Sequence, residues 1–220
     1  VPRNSWLLVT AAGSALGKSV VRIGKRDGFR TICVVRSSAN TAELYDPVAN
    51  TWSPGGAMAF AHQNHTATLL QSGKVLVVGG GSVPAAATVA VEIYDPSNNT
   101  FNTAASVNAG RLAHSATLLR NGDVLVVGGL SGAGDLRSAE RYNPTTNVWT
   151  TVGAMIRGRN SHSATLLPSG KVLVAGGCCG TSSPLGNVSV AELFDPATNA
   201  WTDTGALATG RNAHHAAMLP

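Results

Sequence analysis

Val124-Leu-Val-Val-Gly-Gly129, followed by Ala139-Glu-Arg-Tyr-Asn-Pro-Thr-Thr-Asn-Val-Trp149, is the stretch that decides the fold, because the chain repeats it. The apolar run ending in two glycines recurs at 75–80 and 172–177. The Glu-containing run recurs at 42–52, 91–101 and 191–201. Its Glu stands at 43, 92, 140 and 192, spaced 49, 48 and 52. A third marker, His-x-Ala-x-Leu-Leu or a close variant, begins at His65, His114, His162 and His214 with the same three spacings. Three separate markers on one period make this a tandem repeat of roughly 50 residues.

Each period reads as four short strands. His65 to Leu70 alternates, and Ser72-Gly73 (Asn121-Gly122, Ser169-Gly170) predicts a two-residue hairpin turn with positive φ. The run 74–78 is continuously apolar after its Lys, as in a strand covered on both faces. Glu92-Ile-Tyr94 is a third strand. Asp95-Pro96-Ser-Asn-Asn then turns the chain into a fourth at Phe101, Pro setting φ and Asn accepting the left-handed conformation. Four such strands in tandem predict an all-β propeller of about 3.5 to 4 four-stranded blades, a complete or an incomplete set. Trp52, Trp149 and Trp201 are expected between blades. No further sustained 3.6-residue period exists beyond residues 16–27.

These residues resemble the kelch-repeat β-propellers in their bacterial style. The family's marks are a double glycine, a Tyr, and a Trp six or seven residues later. They appear as Gly79-Gly80/Tyr94/Phe101, Gly128-Gly129/Tyr142/Trp149 and Gly176-Gly177/Phe194/Trp201. The resemblance covers residues 41–220 and implies a non-enzymatic scaffold whose blade loops bind a protein or a carbohydrate. The alternative is the galactose oxidase-like propeller of an oxidase or lyase whose catalytic part lies outside this chain. Fold does not choose between them.

Two domains are expected, 1–36 and 37–220. The first carries the excess positive charge: seven Lys or Arg against Asp27, a net of six, while the remaining 184 residues carry nine basic and ten acidic side chains. Trp6 to Thr10 reads as a buried strand, and Leu16, Val20 and Ile23 as a helical stripe. Gly28 sits at the place of a helix-terminating glycine, and Thr31 to Val35 reads as a second strand. This βαβ-like segment resembles the nucleotide-binding unit of medium-chain reductases and dehydrogenases, in their enoyl-thioester reductase branch. The turn Ala-x-Ser-x-x-Gly is matched by Ala12, Ser14 and Gly17, and Arg36 would face the 2′-phosphate of NADPH. That third reading, an NADPH-dependent oxidoreductase remnant, stops there. The rest of the sheet, the substrate domain and the catalytic residues are not in the chain, so Ala12, Ser14, Gly17 and Arg36 are expected to be idle and no cofactor is expected.

At 12% charged, with no basic stripe across the repeats, the chain lacks the footprint of a nucleic-acid reader. No stretch approaches the roughly 18 apolar residues of a membrane-spanning helix. No signal peptide is read, and the compartment is not legible. No catalytic residue and no metal site are expected. The four repeated histidines share one blade position and read as structural, and His62 takes the slot of Arg111, Arg159 and Arg211. The repeated Glu and Arg are expected to pair, since a buried charge needs a partner. Cys33 and the vicinal Cys178-Cys179 have no zinc-ligand spacing. Asp135, Arg137 and Arg157 are the non-repeating polar residues at the blade mouths. Residues 214–219 are expected to close a fourth blade whose second strand is Thr31 to Val35, with the first strand and the helix outside the ring.

Overall fold

A computed structural model describes residues 6–10, 30–34, 41–46, 49–60, 62–81, 87–178 and 186–216. The described residues form β-strands and no helix; the helix expected over 16–27 lies outside them. The first sheet holds β1 (Trp6–Thr10), β2 (Arg30–Val34), β3 (Thr41–Asp46) and β4 (Thr51–Ala57) in that order. The second holds β5 (Thr66–Leu69), β6 (Val75–Val78), β7 (Val91–Asp95) and β8 (Thr100–Thr103). The third holds β9 (Ser115–Leu118), β10 (Val124–Val127), β13 (Ala139–Asn143) and β14 (Val148–Val152). A small hairpin of β11 (Leu130–Ser131) and β12 (Gly134–Asp135) rises from its loop. The fourth holds β15 (Ser163–Leu166), β16 (Val172–Ala175), β17 (Ala191–Asp195) and β18 (Ala200–Asp203). The second to fourth sheets are antiparallel four-stranded meanders, as the repeats require.

The core lies between sheets, and this explains the unbroken apolar runs. Val75 and Val77 face the first sheet, clustering with Leu44, while Leu76 and Val78 meet Val124, Val126 and Tyr142 of the third. Leu125 and Val127 in turn meet Val172, Val174 and Phe194. A strand sandwiched on both faces has no polar position to spare. Leu76 and Leu125 are fully buried, whereas Leu173, their counterpart in the fourth sheet, is half-buried because no described sheet covers that face.

Three expectations are corrected in detail. The hairpins are not two-residue primed turns. Gly73 N donates to Leu70 O at 3.0 Å and Leu70 N to Lys74 O at 2.8 Å, and of the loop residues only Gly73 has positive φ, at 81°. This is a three-residue loop with its glycine in the left-handed region, repeated at Gly122 and Gly170. The tryptophans are less buried than expected. Trp149 and Trp201 are half-buried against Tyr142 and Phe194, and Trp52 is 45% exposed because no described sheet precedes its own. Lastly, β1 does not hang outside. It pairs in parallel with β2, Trp6 opposite Arg30, in the inner slot expected for residues 214–219. Residues 214–216 form no strand.

The second-strand slot is filled as expected. β2 meets β3 antiparallel with Thr31 opposite Tyr45 and Cys33 opposite Glu43, matching Val75 opposite Tyr94 and Val77 opposite Glu92. By that register Val35-Arg36, rather than Arg36-Ser37, are the sequence counterparts of Gly79-Gly80.

Candidate functional site

The repeated Glu and Arg meet inside the third and fourth sheets. Arg111, in the loop leading into β9, extends across to β13, where Nη2 donates to Glu140 Oε1 at 2.5 Å. Nη1 donates to the carbonyl of Gly128 at 2.8 Å. Arg159 repeats this with Glu192 at 2.5 Å and the carbonyls of Gly176 and Val190 at 2.9 and 2.7 Å. In the second sheet His62 takes the cation's place, its Nε2 2.9 Å from Glu92 Oε2 and its Nδ1 2.6 Å from the Gly79 carbonyl. These side chains are at most 2% exposed. Each carboxylate also accepts main-chain N–H groups from the loop leaving the preceding sheet: Ala59 to Glu92, Asn108 to Glu140, Ile156 and Arg157 to Glu192. Burial pushes the Glu92 carboxyl up, but the His62 hydrogen bond and the Ala59 amide outweigh it and hold the group below its usual range.

The histidines form a second ladder, across blades. His114 Nε2 bonds the Thr66 hydroxyl at 2.8 Å, His162 Nε2 the Ser115 hydroxyl at 2.8 Å, and His214 Nε2 the Ser163 hydroxyl at 3.0 Å. Burial drives all of them towards the neutral form. His65 is lowered to about 4 and His162 to about 3, while His114 lies well below its usual value and His214 below it. A cavity of about 310 Å³ runs beside them, lined by His65, Thr66, Ser115, His162, Ser163, His214 and His215. A hydroxyl directly follows three of the four repeated histidines, as Thr66, Ser115 and Ser163, and this is the sequence signal for the ladder. Among the described residues no three His, Cys, Asp or Glu side chains are grouped to hold a metal ion.

The double glycines are wedges between blades. A Cβ on Gly128 would sit 2.5 Å from the Arg159 carbonyl and 2.9 Å from the His162 ring of the next blade. One on Gly129 would sit 2.8 Å from His114 Cβ of its own blade. Both have positive φ, 60° and 101°, and Gly129 N donates to Arg159 O at 2.9 Å. No other residue meets all three demands.

The variable residues gather where the inter-sheet loops meet the loops between second and third strands. Asp135 accepts from Asn160 Nδ2 at 2.6 Å, and Arg137 Nε donates to the Met155 carbonyl at 2.8 Å. Arg157 is exposed beside Ile156, which is 47% exposed. Of the three non-repeating residues singled out in the sequence, Asp135 and Arg137 are thus tethered and Arg157 has only its amide engaged, on Glu192. Cys178 is half-buried and its main chain pairs with Asn160. Cys179 and the nucleotide-turn residues Ala12, Ser14, Gly17 and Arg36 lie outside the described residues.

Comparison with protein families matches the Kelch motif twice, over residues 111–156 and 159–205. Each match runs from a blade's leading arginine region to the loop before the next and so contains one complete four-stranded sheet. The chain therefore carries two kelch repeats within an all-β array of sheets. No curated protein matches the chain.

Proposed function

We propose that this chain is a non-enzymatic scaffold that binds a protein partner on the face formed by its inter-sheet loops. The reading rests on the contrast between backbone and side chain on that face. The main chain of the first three inter-sheet loops is held alike by the buried Glu92, Glu140 and Glu192, while the outward side chain changes. Phe60, Ala109, Arg157 and Thr209 occupy one position, Ala59, Asn108, Ile156 and Ala208 another, and Val89, Arg137 and Ser189 a third. Variable side chains on loops fixed by a rigid frame are the usual arrangement of a recognition surface. Phe60 and Ile156 offer apolar anchors, 40% and 47% exposed, and Arg137 and Arg157 offer charge beside them. Kelch repeats generally mediate protein–protein contacts, which supports a protein over a small substrate. His62, His114, His162, Arg111, Arg159, Glu92, Glu140 and Glu192 are engaged in blade structure.

Panning a displayed random-peptide library on the protein tests this. Enriched peptides should lose binding to Ile156→Asp and Arg157→Glu variants and keep it for Val148→Asp, on an outer strand. Peptides indifferent to the first two variants would place recognition elsewhere and sink the reading.

A further inference from the structure

We propose that the third sheet carries a small binding site for one neutral sugar ring, built around Gln71, Asp123 and Asn143. It lies at the end of the sheets opposite the inter-sheet loops, where the turns joining first to second and third to fourth strands meet. The site arises where this sheet departs from a salt bridge that the second and fourth sheets share.

Lys74, just before β6, reaches Asp95 Oδ2 at 2.8 Å, and in the fourth sheet Lys171 reaches Asp195 Oδ2 at 2.9 Å. The other oxygen of each Asp holds its own turn, accepting from Ser97 N at 3.0 Å and from Ala197 N at 2.9 Å. The third sheet has Asp123 in place of the lysine and Asn143 in place of the aspartate. Asn143 Oδ1 holds the turn as before, accepting from Thr145 N at 2.9 Å and Thr146 N at 3.0 Å. Its Nδ2 therefore stands where the counterparts receive a lysine, and it makes no hydrogen bond among the described residues. The Asp123 side chain is 8% exposed and turns to its own strand pair. Its Oδ2 accepts from Asn121 Nδ2 at 2.8 Å and lies 3.2 Å from Arg141 Nε, while Oδ1 takes no hydrogen bond among the described residues.

Where the bridge is lost, a cavity of about 190 Å³ opens against the hairpin of the second sheet, lined by Gln71, Asp123 and Asn143 together with Leu70 and Pro144. At the next junction Arg120, the longer counterpart of Gln71, crosses the equivalent space. A Cβ on Gly170 would lie 3.7 Å from Arg120 Cδ, and Arg120 Nη2 donates to the Pro168 carbonyl. The chemistry of the wall selects the ligand. Asp123 Oδ1 can only accept, Asn143 Nδ2 can only donate, and the Gln71 amide does both. Hydroxyl groups donate and accept, so a polyol answers all three. An ammonium group would leave the Asn143 amide unanswered, and an anion would meet the Asp123 carboxylate. Arg141 neutralises Asp123, so the wall as a whole favours an uncharged ligand. Leu70 and Pro144 give the C–H face of a ring an apolar contact. The volume is below the roughly 300–1,000 Å³ of sites for drug-sized molecules, which limits the ligand to a single ring.

The test is saturation-transfer NMR on the full chain with the methyl glycosides of glucose, galactose, mannose and N-acetylglucosamine. At least one should bind with a dissociation constant of about 0.1–10 mM, the strength of a few net hydrogen bonds. Gln71→Arg lays the longer side chain of the next junction over the site and should weaken that binding at least tenfold. The triple variant Asp123→Lys, Arg141→Leu, Asn143→Asp rebuilds the bridge of the fourth sheet, where Leu193 stands in the place of Arg141. It should lose the sugar in the same way while keeping the urea midpoint, and Gln71→Arg decides the matter if the triple variant does not fold. Ile156→Asp, at the other end of the sheets, should leave sugar binding unchanged. Binding of none of the four glycosides would overturn the proposal, as would binding that survives Gln71→Arg or is lost in Ile156→Asp. Saturation by Nα-acetyl-lysine amide in place of the glycosides would make the cavity a cation site and overturn it too.

Discussion

Replacing Arg159 with Met is the most direct test of the junction between blades. The guanidinium and its partner Glu192 are both fully buried. Three hydrogen bonds disappear, to Glu192, Gly176 and Val190, and a carboxylate remains buried with only the amides of Ile156 and Arg157. One charge-assisted bond and two ordinary ones sum to about 2.5–6 kcal/mol. Removing one partner of a buried pair costs about 3–5 kcal/mol by direct comparison with other proteins. The two ranges agree, and about 4 kcal/mol is a large part of the roughly 5–15 kcal/mol that holds a domain together. In a chain of this size the midpoint of thermal unfolding should fall by roughly 8–16 °C. Urea unfolding followed by tryptophan fluorescence is a suitable assay, since Trp201 donates to the Gly153 carbonyl in the same junction. Arg157→Met, two residues away and exposed, should change stability by less than about 0.5 kcal/mol. Glu192→Leu should cost more than Arg159→Met, because it strands a cation and two amides at once. Removing both partners should cost less than the sum of the single losses. An Arg159→Met variant within about 1 kcal/mol of the parent would refute the claim that the pair locks the blade.

Acid should loosen the protein before its carboxylates protonate. His65 and His162 are lowered to about 4 and about 3, so the stability their neutral forms provide is complete above about pH 6.5 and lost as pH falls towards those values. Around pH 5 the unfolded chain binds about two more protons at these sites, and stability should fall by about 2–3 kcal/mol per pH unit; equal urea midpoints at pH 7 and pH 5 would contradict the ladder. Gly128→Ala should cost at least about 2 kcal/mol through its left-handed φ and its contact with the Arg159 carbonyl, whereas Gly132→Ala, with open space around it, should be nearly neutral. Equal losses at the two glycines, read by calorimetry, would show that the wedge is not tight. Tyr142→Phe should cost about 1 kcal/mol by removing one of the two hydrogen bonds to Asn147 Oδ1, which its hydroxyl reaches at 2.8 Å beside the Ala105 amide at 2.9 Å, and an unchanged denaturant midpoint would show that bond to be idle.

The period of 48 to 52 residues and the unbroken 75–78, 124–127 and 172–175 runs determined strand number and order, because each blade is built almost wholly from near neighbours in sequence. Hairpins and Asn turns obey the conformational preferences of the few residues within them, so Gly73, Asn99 and Asn147 announced themselves. The repeated Glu and Arg were legible as a pair for the same reason: any buried charge recurring at one blade position must be answered by another. The identity of the contacts between blades was not legible. Thr66 meets His114 across 48 residues, and Trp149 meets Ala105 across 44, through distances that depend on how one sheet stacks upon the next. The exposure of Trp52, Arg211 and Glu43 has the same origin, since identical motifs are buried or bare according to whether a neighbouring sheet covers them. The position of β1 went further against expectation. A free strand edge accepts any strand that reaches it, parallel or antiparallel, and which one arrives is decided by the chain's path through space and not by its residues alone.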